Sequence, residues 1–533
     1  MDRKKTRRHR PEVRTKQTRG GWKRRVWPGL SLAVVIALQI ASAWGRLDVP
    51  FLDTRLHYSY DNADFGFKMR NGIRNGDLRS QFGVTVNAYG DWGERTGQPS
   101  YYTDHPFFLK ALLQLYGRIA GVSEWTTRSF YLFVAMLTAA GFHWILLQTT
   151  GNLFSSTAGA ATLVTLPLFA VYQTCVKFEA DGMLLAVWIF VLFVACLRRQ
   201  SRSLRLLYAF LVAAAFVTHW TAILFVGCLG VYQLLLRNRH PRALELFRTT
   251  VLASVAGLVA VLGLMSYLQY VWTGAMGPLL RSFAVRSASI PLNIWTGRQL
   301  VYLQQNFTAP VALVCAAMLW LFSSHLWRSR RNSMATQETP GPDGLTLLAG
   351  FIAITSAVGI LWVVAFRQGS FVHIYWQYWL CLPIGALVAG AMTVTETRWR
   401  NPGIWRVLAC VLVVWLFASA QRAFSGIAAD QLGTPADIEF LRSIRADPFD
   451  RLVFVPVTDT ALTQWFQGPL FLYYTDRPIA VATRPDEVRR GDKLLVLRYQ
   501  QRPAVVSAIE GWSGAQLANE KCGPRICAYD ITF

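Results

Sequence analysis

Apolar positions along this chain gather into long unbroken runs rather than into stripes that alternate with polar ones. About 18–25 apolar residues in a helix are needed to cross a ~30 Å hydrocarbon core. Runs of that kind occupy 27–45, 129–149, 156–174, 182–197, 248–273, 309–327, 345–366, 376–395 and 404–421. The run 206–236 is different: at ~1.5 Å per residue it would be about 46 Å long, too much for one upright span. Arg198, Arg199, Arg202 and Arg205 precede it, and Arg237, Arg239 and Arg242 follow it. Two basic flanks favour one compartment, so the run should enter and leave the membrane, turning near Thr218-His219-Trp220. A single strongly tilted helix is the other reading of that stretch. With the turn, the pattern predicts about eleven transmembrane helices.

Charge then assigns the sides. The polar segments 1–25, 150–155, 198–205, 237–247, 328–344 and 396–403 are mostly rich in Lys or Arg and read as cytoplasmic. The segments 46–128, 175–181, 274–308, 367–375 and everything after about 422 then face outward. Segment 328–344 is polar and turn-rich and reads as a mobile linker. In the tail, Thr434 and Pro435 suit a helix start, and Leu452–Val457 and Leu494–Leu497 are strand-like. The expected fold is an all-α polytopic membrane protein with a long first outer loop carrying amphipathic helices and a small C-terminal α/β outer domain. Its parts are a basic cytoplasmic tail (1–25), a transmembrane domain (26–421) holding the outer loop 46–128, and the outer domain (422–533).

Composition agrees. Of 533 residues 53% are hydrophobic and only 16% charged, where soluble proteins carry roughly 25% charged. Together with a mean hydropathy of +0.29, this excludes an ordinary soluble enzyme and a disordered chain. The net charge of +24 sits largely at the front: residues 1–25 hold twelve Lys or Arg against Asp2 and Glu12. Beside an apolar run, such a tail holds its end in the cytoplasm and meets anionic membrane lipids. No motif or basic–aromatic interleaving accompanies it, so nucleic acid is not an expected partner. Ala41-Ser42-Ala43 offers a signal-peptidase site as the minor alternative. Cys175, Cys196, Cys228, Cys315, Cys381 and Cys410 lie in or beside apolar runs and read as packing residues. Cys522 and Cys527, in the polar tail, read as a disulfide on an oxidising face.

The loop 46–128 is long for a connector, and long loops tend to be functional. It concentrates the acids Asp48, Asp53, Asp61, Asp64, Asp77, Asp91, Glu94 and Asp104, most of which read singly as solvated. Two of its stretches are denser in chemistry: Tyr60–Phe65 continuing to Arg70-Asn71, and Tyr101–Leu109 running into the amphipathic segment Lys110–Gly121. Two more outward pieces join them, Lys177-Phe-Glu179-Ala-Asp181 and His373-Ile-Tyr375-Trp-Gln-Tyr378.

These pieces resemble the large-loop membrane glycosyltransferases of the GT-C class, in the branch of protein O-mannosyltransferases and bacterial aminoarabinose or lipopolysaccharide sugar transferases. Asp61 falls on the Asp of that branch's first-loop acidic motif, Phe65 on its Tyr, and Arg70-Asn71 on its Arg-Asn. His105-Pro106 matches its His-Pro, with Phe107 in place of a second Pro. Asp181 matches the second-loop acid, and His373, Tyr375 and Tyr378 the late His-x-Tyr…Tyr motif. Asn62 stands where Glu is common and Asp64 is an extra acid, so either Asp61 or Asp64 is the base. The resemblance spans roughly residues 45–400.

It implies a transferase that takes a sugar from a polyprenyl-phosphate donor to a lipid, glycan or protein acceptor at the outer, periplasmic face of the inner membrane. One carboxylate must remove a proton from the acceptor as it attacks the anomeric carbon. Asp61 is the favoured base, with Asp64 and Asp181 as the other catalytic candidates. One direct displacement inverts the anomeric centre; a double displacement needs a nucleophilic carboxylate. The departing phosphate needs cationic or hydrogen-bonding partners. Candidates are Lys110, Lys177, Arg281, Arg286, Arg298, Arg367, His373 and Tyr375, and Arg70, His105, Glu179 and Tyr378 join them as substrate-binding candidates. A divalent metal, known in some relatives, is left open, and no other cofactor is implied. His219 reads as a polar turn residue. A transporter or flippase of lipid-linked sugars is the alternative from another class, but it would place its polar groups near mid-membrane. A non-catalytic scaffold is a third.

Overall fold

The computed structural model describes residues 23–51, 59–76, 105–238, 240–273, 277–336, 344–399, 401–429, 435–455, 470–477, 479–482, 484–489, 491–497, 502–512, 515–524 and 526–532. The apolar runs form helices: α1 (Lys23–Ala43), α4 (Glu124–Thr150), α5 (Leu153–Thr165), α6 (Pro167–Tyr172), α7 (Phe178–Arg198), α8 (Arg202–Phe216), α9 (Trp220–Leu236), α10 (Pro241–Thr273), α13 (Ala309–Thr336), α14 (Gly344–Ala365), α16 (Cys381–Arg398) and α17 (Gly403–Ala429). Among the described residues, six helical segments are long and apolar enough to cross a membrane by length and composition alone. Local chemistry sets the ends. Ser123, Asn152 and Ser201 each accept a backbone N–H two or three residues into α4, α5 and α8, the ordinary N-cap contact.

Three boundaries differ from the sequence expectation, each for a stated reason. The run 156–174 is broken at Leu166, whose ψ of 131° is the extended backbone that a following proline imposes; Pro167 then starts α6. The expected mobile linker is instead helical through Thr336, because Pro340, Gly341 and Pro342 are the first helix breakers after Arg328; residues 337–343 lie outside the described residues. Helix α17 likewise continues past 421 to Ala429. The long run 206–236 splits into α8 and α9 with its turn at Val217–His219. Arg205 at the start of α8 pairs with Glu245 at the start of α10, and Arg242 donates to the Leu197 carbonyl at the end of α7 (3.0 Å). All these ends therefore lie at one level, so α8 and α9 go out and come back.

Helix α7 is the buried axis, enclosed by α4, α8 and α9. Helices α5 and α16 approach so closely that a Cβ on Gly159 would stand 2.6 Å from the Gly385 carbonyl oxygen, the small-residue contact that membrane helices use. At the far end from Arg198, the first loop supplies α2 (Tyr60–Asn75) and α3 (Phe108–Ala120). Between α10 and α13 lie α11 (Gly277–Ser287) and α12 (Leu292–Phe307), and α14 leads to α15 (Arg367–Val372) and a 3-10 turn at Ile374–Leu380.

The tail holds α18 (Pro435–Ile444), a short helix at 470–475, a helix at Arg502–Glu510, and five strands: β1 (Arg451–Phe454), β2 (Ile479–Val481), β3 (Asp492–Leu497), β4 (Gln516–Cys522) and β5 (Ile526–Thr532). Their order is β2-β1-β3-β5-β4, with β1 parallel to both neighbours and β5 antiparallel to β3 and β4. Side chains alternate between two cores, as the strand period requires. Val453, Leu494 and Val496 pack with Val505 and Ile509, whereas Phe454, Leu495 and Ile526 pack with Leu441, Phe471 and Tyr473. That second core takes in Ala63 and Phe67 of α2, so the sheet unit sits on the loop helix. A disulfide joins Cys522 to Cys527 across the β4–β5 turn.

Candidate active site

Helix α2 is wedged between two partners, and this positions its first turn. Phe65 and Met69 pack on Leu113 of α3, Tyr131 of α4, Val176 of the α6–α7 link and Phe178 at the start of α7. On its other side, Gly66 leaves room for Tyr473: a Cβ there would lie 2.8 Å from that ring. Asn62, fully buried, accepts from the Val176 backbone N–H (2.6 Å) and donates to the Thr174 carbonyl (3.4 Å). The residue that departs from the expected Glu therefore ties the long first loop to the α6–α7 link.

That tie brings Asp61 to Lys177, the residue before α7, and the two form an ion pair. The Lys177 ammonium lies 3.6 Å from the centre of the Tyr375 ring, and Tyr375 packs beside Tyr172 (5.7 Å between ring centres). One turn into α7, Asp181 meets Lys110 of α3 at 2.7 Å, and both side chains are 1% exposed. Lys110 also bonds the Tyr131 hydroxyl and lies 4.1 Å from the centre of the Phe178 ring. Glu179, 4% exposed, completes the acids at this level.

A cationic corner faces these acids. His105 Nε2 lies 3.0 Å from an Arg286 Nη1. Arginine only donates, so this nitrogen accepts and the ring is neutral. Burial first, and then the Arg286 charge, hold the His105 pKa well below its usual value, which agrees. The ring centre of His105 is 4.5 Å from that of Phe178 and 5.2 Å from that of His219. His219 is the turn residue it was expected to be, accepting from the Thr221 N–H as the N-cap of α9, and among the described residues its buried Nε2 has no hydrogen-bond partner. His373 stacks on Trp376 near Tyr375.

Burial pulls the Lys110 pKa down, and the Asp181 carboxylate opposes the pull. Asp64 behaves differently from Asp61. It pairs with Lys68 within α2, and burial raises its carboxyl pKa in spite of that lysine.

Not every expected residue converges here. Arg70 donates to the Tyr473 carbonyl (2.7 Å) and, with Arg74 and Arg445, pairs with Asp476, so it fastens α2 to the C-terminal unit instead. Arg298 bonds the Tyr302 hydroxyl (2.9 Å), Arg367 the Ile290 carbonyl (3.5 Å), and Arg281 is exposed on α11. These three build or border the α11–α12–α15 corner. Tyr378 stacks on Phe169, 5.4 Å between ring centres and 7° between planes, inside the bundle. Asp48 is described outside the cluster, and Asp53, Asp77, Asp91, Glu94 and Asp104 lie outside the described residues, as does the tail 1–22. Asn62, Tyr131 and Tyr172 join the site without having been expected there. Asn62 carried a signal, its departure from the motif; the two tyrosines, inside apolar runs, carried none. As for a metal, among the described residues the three-ligand grouping is Glu520, Cys522 and Cys527, and its two thiols are already spent on the disulfide.

Residues 104–268 match the model of a family described as dolichyl-phosphate-mannose-protein mannosyltransferase. The match contains His105, Lys110, Lys177, Glu179, Asp181 and His219, and it agrees with the resemblance carried by the motifs. No curated protein matches the chain in sequence. Solved structures do match in shape. ArnT from Cupriavidus metallidurans, in a crystal structure bound to undecaprenyl phosphate, is similar over 96% of this chain and 98% of its own, with a TM-score of 0.54 and 13% identity. Its apo form gives 0.52, 13%, 95% and 97%. This is the GT-C fold. An oligosaccharyltransferase from Archaeoglobus fulgidus, tethered to an acceptor peptide, shares the GT-C fold more distantly, with a TM-score of 0.50 and 10% identity over 87% of this chain and 65% of its own. With its membrane-length apolar helices, the GT-C fold makes the chain an integral membrane protein.

Proposed function

We propose that this protein is a membrane glycosyltransferase that moves a sugar from a polyprenyl-phosphate carrier to an acceptor at the outer, periplasmic face of the inner membrane. The observation that carries this reading is the convergence of Asp61–Lys177, Lys110–Asp181 and Arg286–His105 at one end of a bundle whose fold is shared with ArnT, a protein crystallised with undecaprenyl phosphate. Asp61 is the base. The acceptor hydroxyl gives its proton to Asp61 while its oxygen bonds the anomeric carbon. The bond from that carbon to the phosphate oxygen breaks, and its electron pair leaves with the polyprenyl phosphate. The phosphate gains one negative charge in this step, so cations aimed at it stabilise the transition state more than the ground state. Arg286 and Lys177 are the groups placed to do so.

Lys177 has two roles. In the structure it is paired with Asp61; once a donor phosphate enters, the same ammonium turns toward it and leaves the carboxylate free to accept a proton. A single displacement inverts the anomeric centre. Asp64, paired with Lys68 within its own helix, supports the site without taking the proton. The first outer loop and the sheet unit stand on the outer side, with residues 1–25 in the cytoplasm.

The test is transfer of radiolabelled sugar in vesicles holding the full chain and a polyprenyl-phosphate-sugar donor. Donor-dependent labelling of the acceptor is the expected result. Movement of the donor across the bilayer with no transfer would establish a translocator instead.

A further inference from the structure

The end of the bundle opposite the acid–lysine cluster carries a second polar site that the transfer reaction does not use. Helix α7 leads to it: this helix of 21 residues starts one turn before Asp181 and ends at Arg198, a rise of about 31 Å. That is the thickness of a hydrocarbon core. There the links between α7, α8 and α10 enclose a cavity of about 370 Å³ lined by Arg199, Arg202, Arg205 and Arg242, with Ser201 and Glu245. Four guanidinium groups face one carboxylate, which Arg205 engages, so the cavity keeps an excess of three positive charges. Arg242 is braced on the Leu197 carbonyl at 3.0 Å, which fixes one wall. Further along the same helices from the cavity residues, α8 exposes Leu206 (61%) and Phe210 (63%), and the adjoining α10 exposes Leu252 (72%) and Val255 (56%).

We infer that this cavity binds the phosphodiester headgroup of an anionic glycerophospholipid, whose acyl chains lie along the apolar faces of α8 and α10. A positively charged hollow at headgroup depth, braced on one side by Arg242 and continuing into an exposed apolar surface, matches an amphiphile with a phosphate at one end and hydrocarbon at the other. Basic pockets between membrane helices recognise anionic headgroups through this geometry. Guanidinium groups also suit phosphate oxygens better than ammonium groups do, because they donate in a planar fork. Arginines that only anchored the helix ends in the interface would need no shared cavity.

Native mass spectrometry of the full chain, released from micelles with equal phosphatidylglycerol and phosphatidylcholine, tests this. Phosphatidylglycerol should be retained preferentially. Arg199→Ala and Arg202→Ala should each lower that preference about five-fold, Arg202→Lys less, and Arg398→Ala, at the same end on α16 but outside the cavity, less than about two-fold. Equal loss in Arg398→Ala, or no preference in the unaltered chain, would overturn the site in favour of general surface charge. Binding of inorganic phosphate alone with the same arginine dependence, displacing the lipid at millimolar concentration, would overturn the lipid assignment in favour of a soluble phosphate ligand. Elution of each variant at the unaltered volume in gel filtration separates loss of binding from loss of fold.

Discussion

Replacing Lys110 with methionine removes the cation from a pair in which both side chains are 1% exposed and 2.7 Å apart. Among the described residues Asp181 Oδ1 has no hydrogen-bond partner, and Lys110 is the cation at Oδ2. Around them stand the rings of Phe65 and Phe178, which cannot solvate an anion, and the Tyr131 hydroxyl is a neutral donor beside the pair. Breaking such a pair from one side costs about 3–5 kcal/mol, most of it the penalty of an uncompensated buried charge. Replacing both partners with apolar groups of similar volume costs far less. The single variants Lys110→Met and Asp181→Leu are therefore expected to lose about 3–5 kcal/mol each, and the double variant much less than their sum, a coupling of about 2 kcal/mol or more. The assay is unfolding of the detergent-solubilised chain followed by the fluorescence of its 20 tryptophans. Losses below about 1 kcal/mol in both single variants, or additivity in the double, would refute the buried pair as described.

Asn62→Ala leaves the buried Val176 N–H without its acceptor and is expected to lower kcat about ten- to a hundred-fold by displacing Asp61, measured by steady-state transfer. In the sheet unit, burial alone would raise the Asp447 carboxyl pKa, but bonds from Lys521 (2.8 and 2.9 Å) and an ion pair with Lys493 (3.2 Å) bring it below the usual value. A native pKa below the unfolded one means that the ionised form stabilises the fold. That contribution is complete above about pH 4 and is lost as pH falls through the native value; hydrogen exchange of β4 and β5 between pH 5 and pH 3 should show it, and Asp447→Asn should flatten it. Reducing Cys522–Cys527 opens a ring with a sequence separation of 5 and is expected to destabilise the β4–β5 hairpin locally by about 2 kcal/mol, seen as faster exchange there with transfer unchanged.

The sequence showed the bundle well because each membrane helix is specified locally, by a run of apolar residues and the charges at its ends. The turn at Val217–His219 was readable for the same reason, from arginines on both flanks of one long run. Long-range packing was not readable. Arg70 matched a motif, yet it points at Asp476, some four hundred residues later in the chain, a pairing that no local pattern encodes. Tyr131 and Tyr172 enter the site because α4 faces α3 and α7 while α6 faces the 3-10 turn that carries Tyr375, and inside apolar runs they look like packing residues. Motif spacing favoured Asp61 over the extra acid Asp64 but left both as candidates. Only the fold shows that one reaches across to Lys177 and the other back to Lys68.

The most direct test of the central claim is transfer by Asp61→Asn, with donor binding measured on the same preparation. The account predicts transfer reduced by at least about a hundred-fold, donor bound with little change, and Asp64→Asn keeping most of its activity. Full activity in Asp61→Asn, or loss confined to Asp64→Asn, would contradict it.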